Sequence, residues 1–235
     1  MLHKNEVKAC FYSGKYKDAL QIIGRRPLQL ATSDNRKLAL FQLGSMVFIG
    51  EFDEARSLFE FAKKNGVLDA EFIIPAQFFL SIGEVRRSHY EKAAQLIAAN
   101  AWLAKKQFNK SGNIEFYVNQ GIAFIHFYRG HFEKSSRFAQ KAYLAAFEND
   151  FRYGQALALD ALGQSLCQMG QVQRGLFELN RGIEIAKSIG NGGLVTALEI
   201  GVLRFRSQYG VNGKKAISEC QRALKKLDSQ NNYSK

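Results

Sequence analysis

The chain has 235 residues, 46% of them hydrophobic, and a formal net charge of +12 from 33 Lys and Arg against 21 Asp and Glu. The apolar content suffices for an ordered core, and no run of about 18 apolar residues is present to cross a bilayer as a helix. Met1-Leu2-His3-Lys4-Asn5-Glu6 lacks an apolar signal core, and the scattered Cys10, Cys167 and Cys220 form no disulfide framework, so a reducing, cytoplasmic setting is expected. Each cysteine is expected to serve as a small buried apolar residue. Only Pro27 and Pro75 interrupt the chain, which permits helix nearly throughout.

From the N-terminus onward one short phrase recurs. Gly14-Lys15-Tyr16-Lys17-Asp18-Ala19 is matched by Gly50-Glu51-Phe52-Asp53-Glu54-Ala55. Ser88-His89-Tyr90-Glu91-Lys92-Ala93 lacks the glycine, and Gly130-His131-Phe132-Glu133-Lys134-Ser135 has serine for alanine. Gly170-Gln171-Val172-Gln173-Arg174-Gly175 is a weaker fifth copy and Val211-Asn212-Gly213-Lys214-Lys215-Ala216 a degenerate sixth. Successive starts lie 36, 38, 42, 40 and 41 residues apart. Glycine reaches the left-handed conformation that closes a helix, so each copy reads as a helix end, a tight turn and a new helix start. The aromatic two residues on fills the angle between the two helices, and the small residue after it lets them approach closely.

The flanks have helical period. Leu40, Leu43 and Val47 precede Gly50, and Ala55, Leu58, Phe59 and Ala62 follow it. In chain order the spacing predicts helix pairs near 3–13/16–25, 35–49/52–65, 72–87/89–108, 113–129/132–148, 152–169/172–188 and 192–209/213–228. Pro27 then falls past a helix end and Pro75 in the first turn of a helix. No stretch alternates with period two, so no strand is expected. Residues 1–228 read as one domain and 229–235, Ser-Gln-Asn-Asn-Tyr-Ser-Lys, as a disordered tail.

The phrase and its flanks resemble the tetratricopeptide repeat, above all at Leu159-Asp160-Ala161-Leu162-Gly163-Gln164-Ser165-Leu166-Cys167-Gln168-Met169-Gly170, which is similar to that family's first helix. The resemblance spans about residues 3 to 228 and implies an all-α, right-handed solenoid of about six antiparallel helix pairs. The sequence departs from the family in period, since the standard repeat is about 34 residues, and in lacking its second-helix proline and first-helix tryptophan. Long repeats carrying Ala-Leu-Ala-Leu-Asp-Ala-Leu-Gly, as in 156–163, resemble those of large bacterial transcription activators and of bacterial regulators that bind signalling peptides. No effector motif is expected within these 235 residues, so the chain reads as either a stand-alone adaptor or a piece of something larger.

Chemistry-bearing motifs are missing. His3, His89, His126 and His131 have no partners at metal-ligand spacing, and Gly190-Asn191-Gly192-Gly193 reads as a helix–helix turn rather than a phosphate loop. Glu51, Asp53 and Glu54 sit at a helix start, where carboxylates favour the dipole. Neither a catalytic constellation nor a cofactor or metal site is expected, and the chain is not read as an enzyme.

Stacked helix pairs present an extended concave face built from the first helices. The first-helix residues expected there are Tyr117, Gln120, Phe124, Phe127 and Tyr128, then Asp160, Gln164 and Gln168, with Phe48 and Lys37 nearer the N-terminus. Arg129, Arg137, Lys141 and Arg152 are expected to form a basic rim. That face suits a protein or peptide segment mixing acidic and apolar residues, as an adaptor would hold. Two alternatives stand beside it: the sensor domain of a bacterial regulator binding a small peptide, and an RNA-binding helical repeat using the basic surface. The chaperone-carboxylate set of the family is not matched, because Leu40 and Gly44 stand where its ligands belong. At the N-terminal end Val7, Cys10, Phe11, Leu20 and Ile23 suggest an apolar face able to form a homodimer, whereas Lys214, Lys215, Arg222, Lys225 and Lys226 cap the C-terminal end.

Overall fold

The computed structural model describes residues 4–67, 69–106 and 112–209, with the single positions 218 and 222. Among them eleven helices and no strand occur: α1 (Lys4–Tyr12), α2 (Tyr16–Ile23), α3 (Ser33–Ile49), α4 (Phe52–Lys64), α5 (Ala70–Arg86), α6 (Tyr90–Lys106), α7 (Gly112–Tyr128), α8 (Phe132–Glu148), α9 (Arg152–Gln168), α10 (Val172–Ser188) and α11 (Gly192–Gln208). These are five antiparallel pairs and the first helix of a sixth. Every end lies within two residues of its expected place. The expected helix 213–228, with Cys220 and the C-terminal cap, and the tail 229–235 fall outside the described residues.

The recurring phrase works as a helix stop. Gly14, Gly50, Gly130 and Gly170 are left-handed, at φ 78°, 93°, 76° and 79°. In each turn the amide of the residue after the glycine reaches back to a carbonyl five residues earlier, as from Glu51 to Met46 at 2.8 Å and from Gln171 to Leu166 at 2.9 Å. The third copy closes the same way: Ser88 adopts φ 62°, and His89 N bonds the Glu84 carbonyl at 2.8 Å. A serine there carries a left-handed backbone that glycine would hold without cost.

The small residue of the phrase sets the approach of the two helices. Ala19, Ala55, Ala93 and Ser135 are fully buried. The Ser135 hydroxyl lies 2.9 Å from the Ala123 carbonyl and 2.8 Å from Ser165 Oγ, so its burial leaves no polar atom unmatched. The closest crossing is α9 on α10, where a Cβ on Gly175 would lie 2.6 Å from the Gly163 carbonyl oxygen.

One boundary differs in consequence. α5 begins at Ala70, capped by the Asp69 carboxylate accepting from Phe72 N at 2.9 Å, so Pro75 sits beyond the first turn, inside the helix. The earlier start follows from that cap, which periodicity alone does not reveal.

The first helices α1, α3, α5, α7, α9 and α11 touch in succession as an inner layer. The stack curls until its first pair meets its fifth. Asn191, in the turn before α11, donates from Nδ2 to the Tyr12 carbonyl at 2.9 Å. The ring of Tyr12 lies 5.8 Å from that of Phe151 and 5.5 Å from that of Tyr153. Packing on α3 together with this closure corrects the expectation of an open, apolar N-terminal end. Val7, Phe11, Leu20 and Ile23 are buried against the chain itself, so the face that suggested a homodimer is consumed by the fold.

Candidate functional site

Closure of the stack divides its interior at the α1–α2 turn. On one side lies a cavity of about 690 Å³ among the N-terminal halves of α1, α3, α5 and α7. Its apolar wall is aromatic: Phe11, Tyr12, Phe41, Phe72, Phe79 and Tyr117, with Pro75. Its charged edge carries Lys4, Lys8, Arg36 and Lys37 against Asp69 and Glu71. Lys4 pairs with Asp34, and Arg36 stands 3.5 Å from Asp69. Lys8 and Lys37 are exposed and form no ion pair among the described residues.

On the other side the later halves of the first helices carry a polar and aromatic tract of the inner layer, the channel side. Tyr16 stacks on Phe48 with ring centres 4.5 Å apart, and the Arg86 guanidinium lies 5.5 Å from the same Phe48 ring. Arg86 also donates to the Val47 and Phe48 carbonyls, each at 3.2 Å, which satisfies the C-terminal end of α3. Burial lowers the pKa of Arg86, while Tyr16, Tyr153 and Tyr128 nearby oppose that shift. Next to it Phe124 meets Tyr128 edge-on at 4.8 Å, and Tyr90 stacks on Tyr128 at 5.7 Å. Beyond Tyr128 runs a polar relay. Gln164 Nε2 donates to Asp160 Oδ1 at 2.8 Å, and Arg204 Nη2 donates to Gln164 Oε1 at 2.7 Å. Burial pushes the Asp160 carboxyl up to about 6, against the bond from Gln164 and the charge of Arg204. Burial also raises Tyr12 to about 12 and Tyr117 and Tyr153 well above the usual phenol value, so these rings act as neutral hydrogen-bonding groups.

The expected site residues fall into separate places. Lys37 and the buried Tyr117 line the cavity. Phe48, Phe124, Tyr128, Asp160 and Gln164 belong to the channel, and Gln168 is half-buried at the end of α9. Phe127 turns toward Phe132 of α8 at 5.5 Å. Gln120 is buried and spans two repeats, its Nε2 donating to the Leu157 carbonyl at 3.2 Å. The basic rim does not assemble. Arg129 follows the C-terminal end of α7, where it pairs with Glu91 at 3.3 Å, while Arg152 opens α9 at the opposite end of the parallel inner layer. Arg137 and Lys141 sit on α8, a second helix, paired with Glu133 and lying over the Phe138 ring respectively. Sequence reading missed Arg86, Arg204, Tyr153 and the cavity's Arg36, and took Lys4 and Lys8 only as a partial likeness to the family's carboxylate-holding set. A signal for Arg204 exists: Phe124, Gln164 and Arg204 recur at intervals of forty residues, one position on three successive first helices.

His126 stands apart from both compartments, its ring stacked 5.9 Å from Phe138. Among the described residues no group of three His, Cys, Asp or Glu lies together to hold a metal, and no helix is long and apolar enough to cross a membrane.

The architecture is a tetratricopeptide-like helical repeat stack. Two solved structures share it. One is a Rap protein complexed with competence and sporulation factor, with a TM-score of 0.68 and 11% identity. The other is the apo form of RapI, with a TM-score of 0.53 and 15% identity. Each match covers 98% of this chain and 66% of the other, so the chain spans just under two thirds of the length of these Rap chains. No family model and no curated protein matches the sequence.

Proposed function

We propose that the chain is a peptide-binding module that takes a short segment of mixed acidic and apolar character into its concave interior. The observation that carries this reading is the pairing, within one open-mouthed pocket, of an aromatic wall with cations that form no ion pair among the described residues. A cavity of about 690 Å³ flanked by Lys8 and Lys37 offers an apolar side chain an aromatic seat and a carboxylate two partners. The channel offers the aromatic surface of Phe124 and Tyr128 beside Arg86 and Arg204. The likeness to a Rap protein solved with competence and sporulation factor supports the fold side of this reading.

The concave pocket's volume suits a short peptide segment, and so favours a sensor or regulatory docking role over a general adaptor. The basic surface does not favour RNA. Its cations are dispersed over both helix layers and several are engaged in pairs with carboxylates on neighbouring helices.

The test uses labelled short peptides bearing carboxylates and aromatic or leucine side chains, with basic and neutral peptides and random RNA as comparisons, read by fluorescence anisotropy. Phe124→Ala with Tyr128→Ala should weaken an acidic–apolar peptide at least tenfold, the scale of losing an aromatic hot spot of about 2 kcal/mol. Lys8→Glu with Lys37→Glu should weaken it through the carboxylate. Helical circular dichroism should stay unchanged in both. Binding that prefers random RNA and falls steeply with salt would overturn the proposal.

A further inference from the structure

The seam that closes the stack differs in kind from the contacts that build it. Within the stack, the first pair is held to α3 by apolar burial of Val7 and Ile23 with Leu38. Across the seam, the contacts are few and join aromatic rings with isolated polar links. Asn191 Nδ2 holds the Tyr12 carbonyl, the phenols of Tyr16 and Tyr153 hydrogen-bond, and the rings of Phe11, Tyr12, Phe151 and Tyr153 meet at 5.5 to 6.3 Å. Asn191 is itself almost fully buried, and Gly14 is pressed so close to it that a Cβ there would lie 2.8 Å from Asn191 Oδ1. The seam also decides the shape of the interior. Tyr12 walls the cavity, while Tyr16, one turn residue beyond Lys15, stacks on Phe48 in the channel. The α1–α2 turn is therefore the partition between the two compartments.

We infer that this seam is a latch: the first helix pair moves with α3 as the superhelix relaxes, the contacts to Phe151, Tyr153 and Asn191 part, and the cavity and the channel become one continuous groove. A solenoid is held repeat by repeat through nearest neighbours, so its ends can separate without unfolding any helix. The sparseness of the seam suits reversible opening, since water can replace the hydrogen bond to Asn191 and only a few ring contacts part, whereas the stack itself rests on continuous apolar burial. The loop at the base of the pair stays fixed. Gln42 Nε2 donates to the Gly24 and Arg26 carbonyls at 2.8 and 3.0 Å, and Arg25 pairs with Glu51. The closed state admits short ligands to either compartment, and the open state admits one extended segment to both. That last consequence rests on the peptide-binding reading; the latch itself does not.

Asn191→Asp isolates the latch. Asn191 Oδ1 also caps α11 by accepting from Leu194 N at 2.8 Å, and an aspartate retains that acceptor while losing the donor to Tyr12. Tyr153→Phe removes only the phenol hydroxyl that interacts with Tyr16 across the seam. Nitroxide labels at Lys15→Cys and Ser188→Cys, in a background with Cys10 and Cys220 replaced by serine, report the distance across the seam by pulsed electron resonance. The buried Cys167, its thiol raised to about 11 by burial, stays unlabelled. Each variant should raise the ratio of open to closed by about tenfold, the effect of one lost hydrogen bond with its partner left unmatched. The double variant should show a distinct longer-distance population with unchanged helical circular dichroism. A distance distribution identical to the parent in the double variant would overturn the latch. In the ligand arm, an extended acidic–apolar peptide spanning both compartments should bind the double variant more tightly than the parent, and equal affinity would refute the joining of compartments. No binding of any such peptide to either protein sinks the peptide reading, while the distance distributions still decide the latch.

Discussion

Asp160 shows how much one side chain in this interior is governed by its surroundings. It is the only carboxylate in the polar relay of Asp160, Gln164 and Arg204, and burial raises its pKa from the ordinary value near 3.8 to about 6. A folded-state pKa above the unfolded one means that the folded protein holds the extra proton between those values. The contribution of Asp160 to stability is then fully present below about pH 3.8 and is lost as pH rises through 6. Asp160→Asn keeps an acceptor for Gln164 and removes the buried charge. The substitution should leave the melting temperature near pH 4 almost unchanged and raise it at pH 7.5, as scanning calorimetry across that range will show. An Asn variant less stable than the parent at pH 7.5 would mean that attraction to Arg204 outweighs burial. His126 works in the other sense: burial lowers its pKa below 6.5, so its contribution weakens as pH falls below that value, and the comparison with Asp160→Asn separates the two.

At the scale of helices, the crossing of α9 on α10 is decided by two glycines, and the sign of a glycine substitution depends on what surrounds it. An alanine is favoured over glycine in a helix interior by about 1 kcal/mol. At Gly175 a Cβ would meet the Gly163 carbonyl oxygen at 2.6 Å, Cys167 N at 2.9 Å and Cys167 Sγ at 2.3 Å. Two of these neighbours are backbone and cannot rotate away, so the helices must part, at about 1–3 kcal/mol or more. At Gly201 in α11 the nearest atoms stand at 3.8 Å, ordinary contact. Gly175→Ala should therefore lower the melting temperature by several degrees and Gly201→Ala should raise it by a degree or more, both measurable by circular dichroism. Elements of this kind were readable in the sequence because each rule acts within a few residues. A left-handed residue and a small residue at fixed spacing defined every described pair, and Ser88 filled the left-handed place where glycine was absent. The site was less readable. Phe48, Tyr128, Asp160 and Gln164 followed from which side of a first helix faces away from its partner. Arg137 and Lys141 were misplaced because charge near a helix in sequence says nothing of which layer it lies in. Asn191 meeting Tyr12 depends on a small rotation accumulated over five repeats, which no local pattern encodes.

For the molecule as a whole, two electrostatic effects oppose each other and salt separates them. A net charge of +12 on 235 residues makes the folded state repel itself, and screening relieves that repulsion. Against it stand ion pairs that tie neighbouring repeats, such as Arg25 with Glu51, Arg87 with Asp53 and Arg129 with Glu91. At least one partner in each of these pairs is well exposed to solvent, where a pair is worth about 0–1 kcal/mol and is weakened by the same screening. An excess of twelve positive charges has no pair to lose, so relief of repulsion should prevail. The melting temperature should rise by a few degrees between roughly 0.02 and 0.3 M sodium chloride and then level off as the screening length falls below about 10 Å. A steady fall over that range would show instead that the pairs between repeats hold the stack together, and that its basic surface is balanced locally. The same salt series bears on the ligand, because an acidic peptide seated beside Lys8 and Lys37 should lose affinity only modestly with salt. Its apolar side chains in the aromatic cavity retain their burial when the carboxylate contacts are screened.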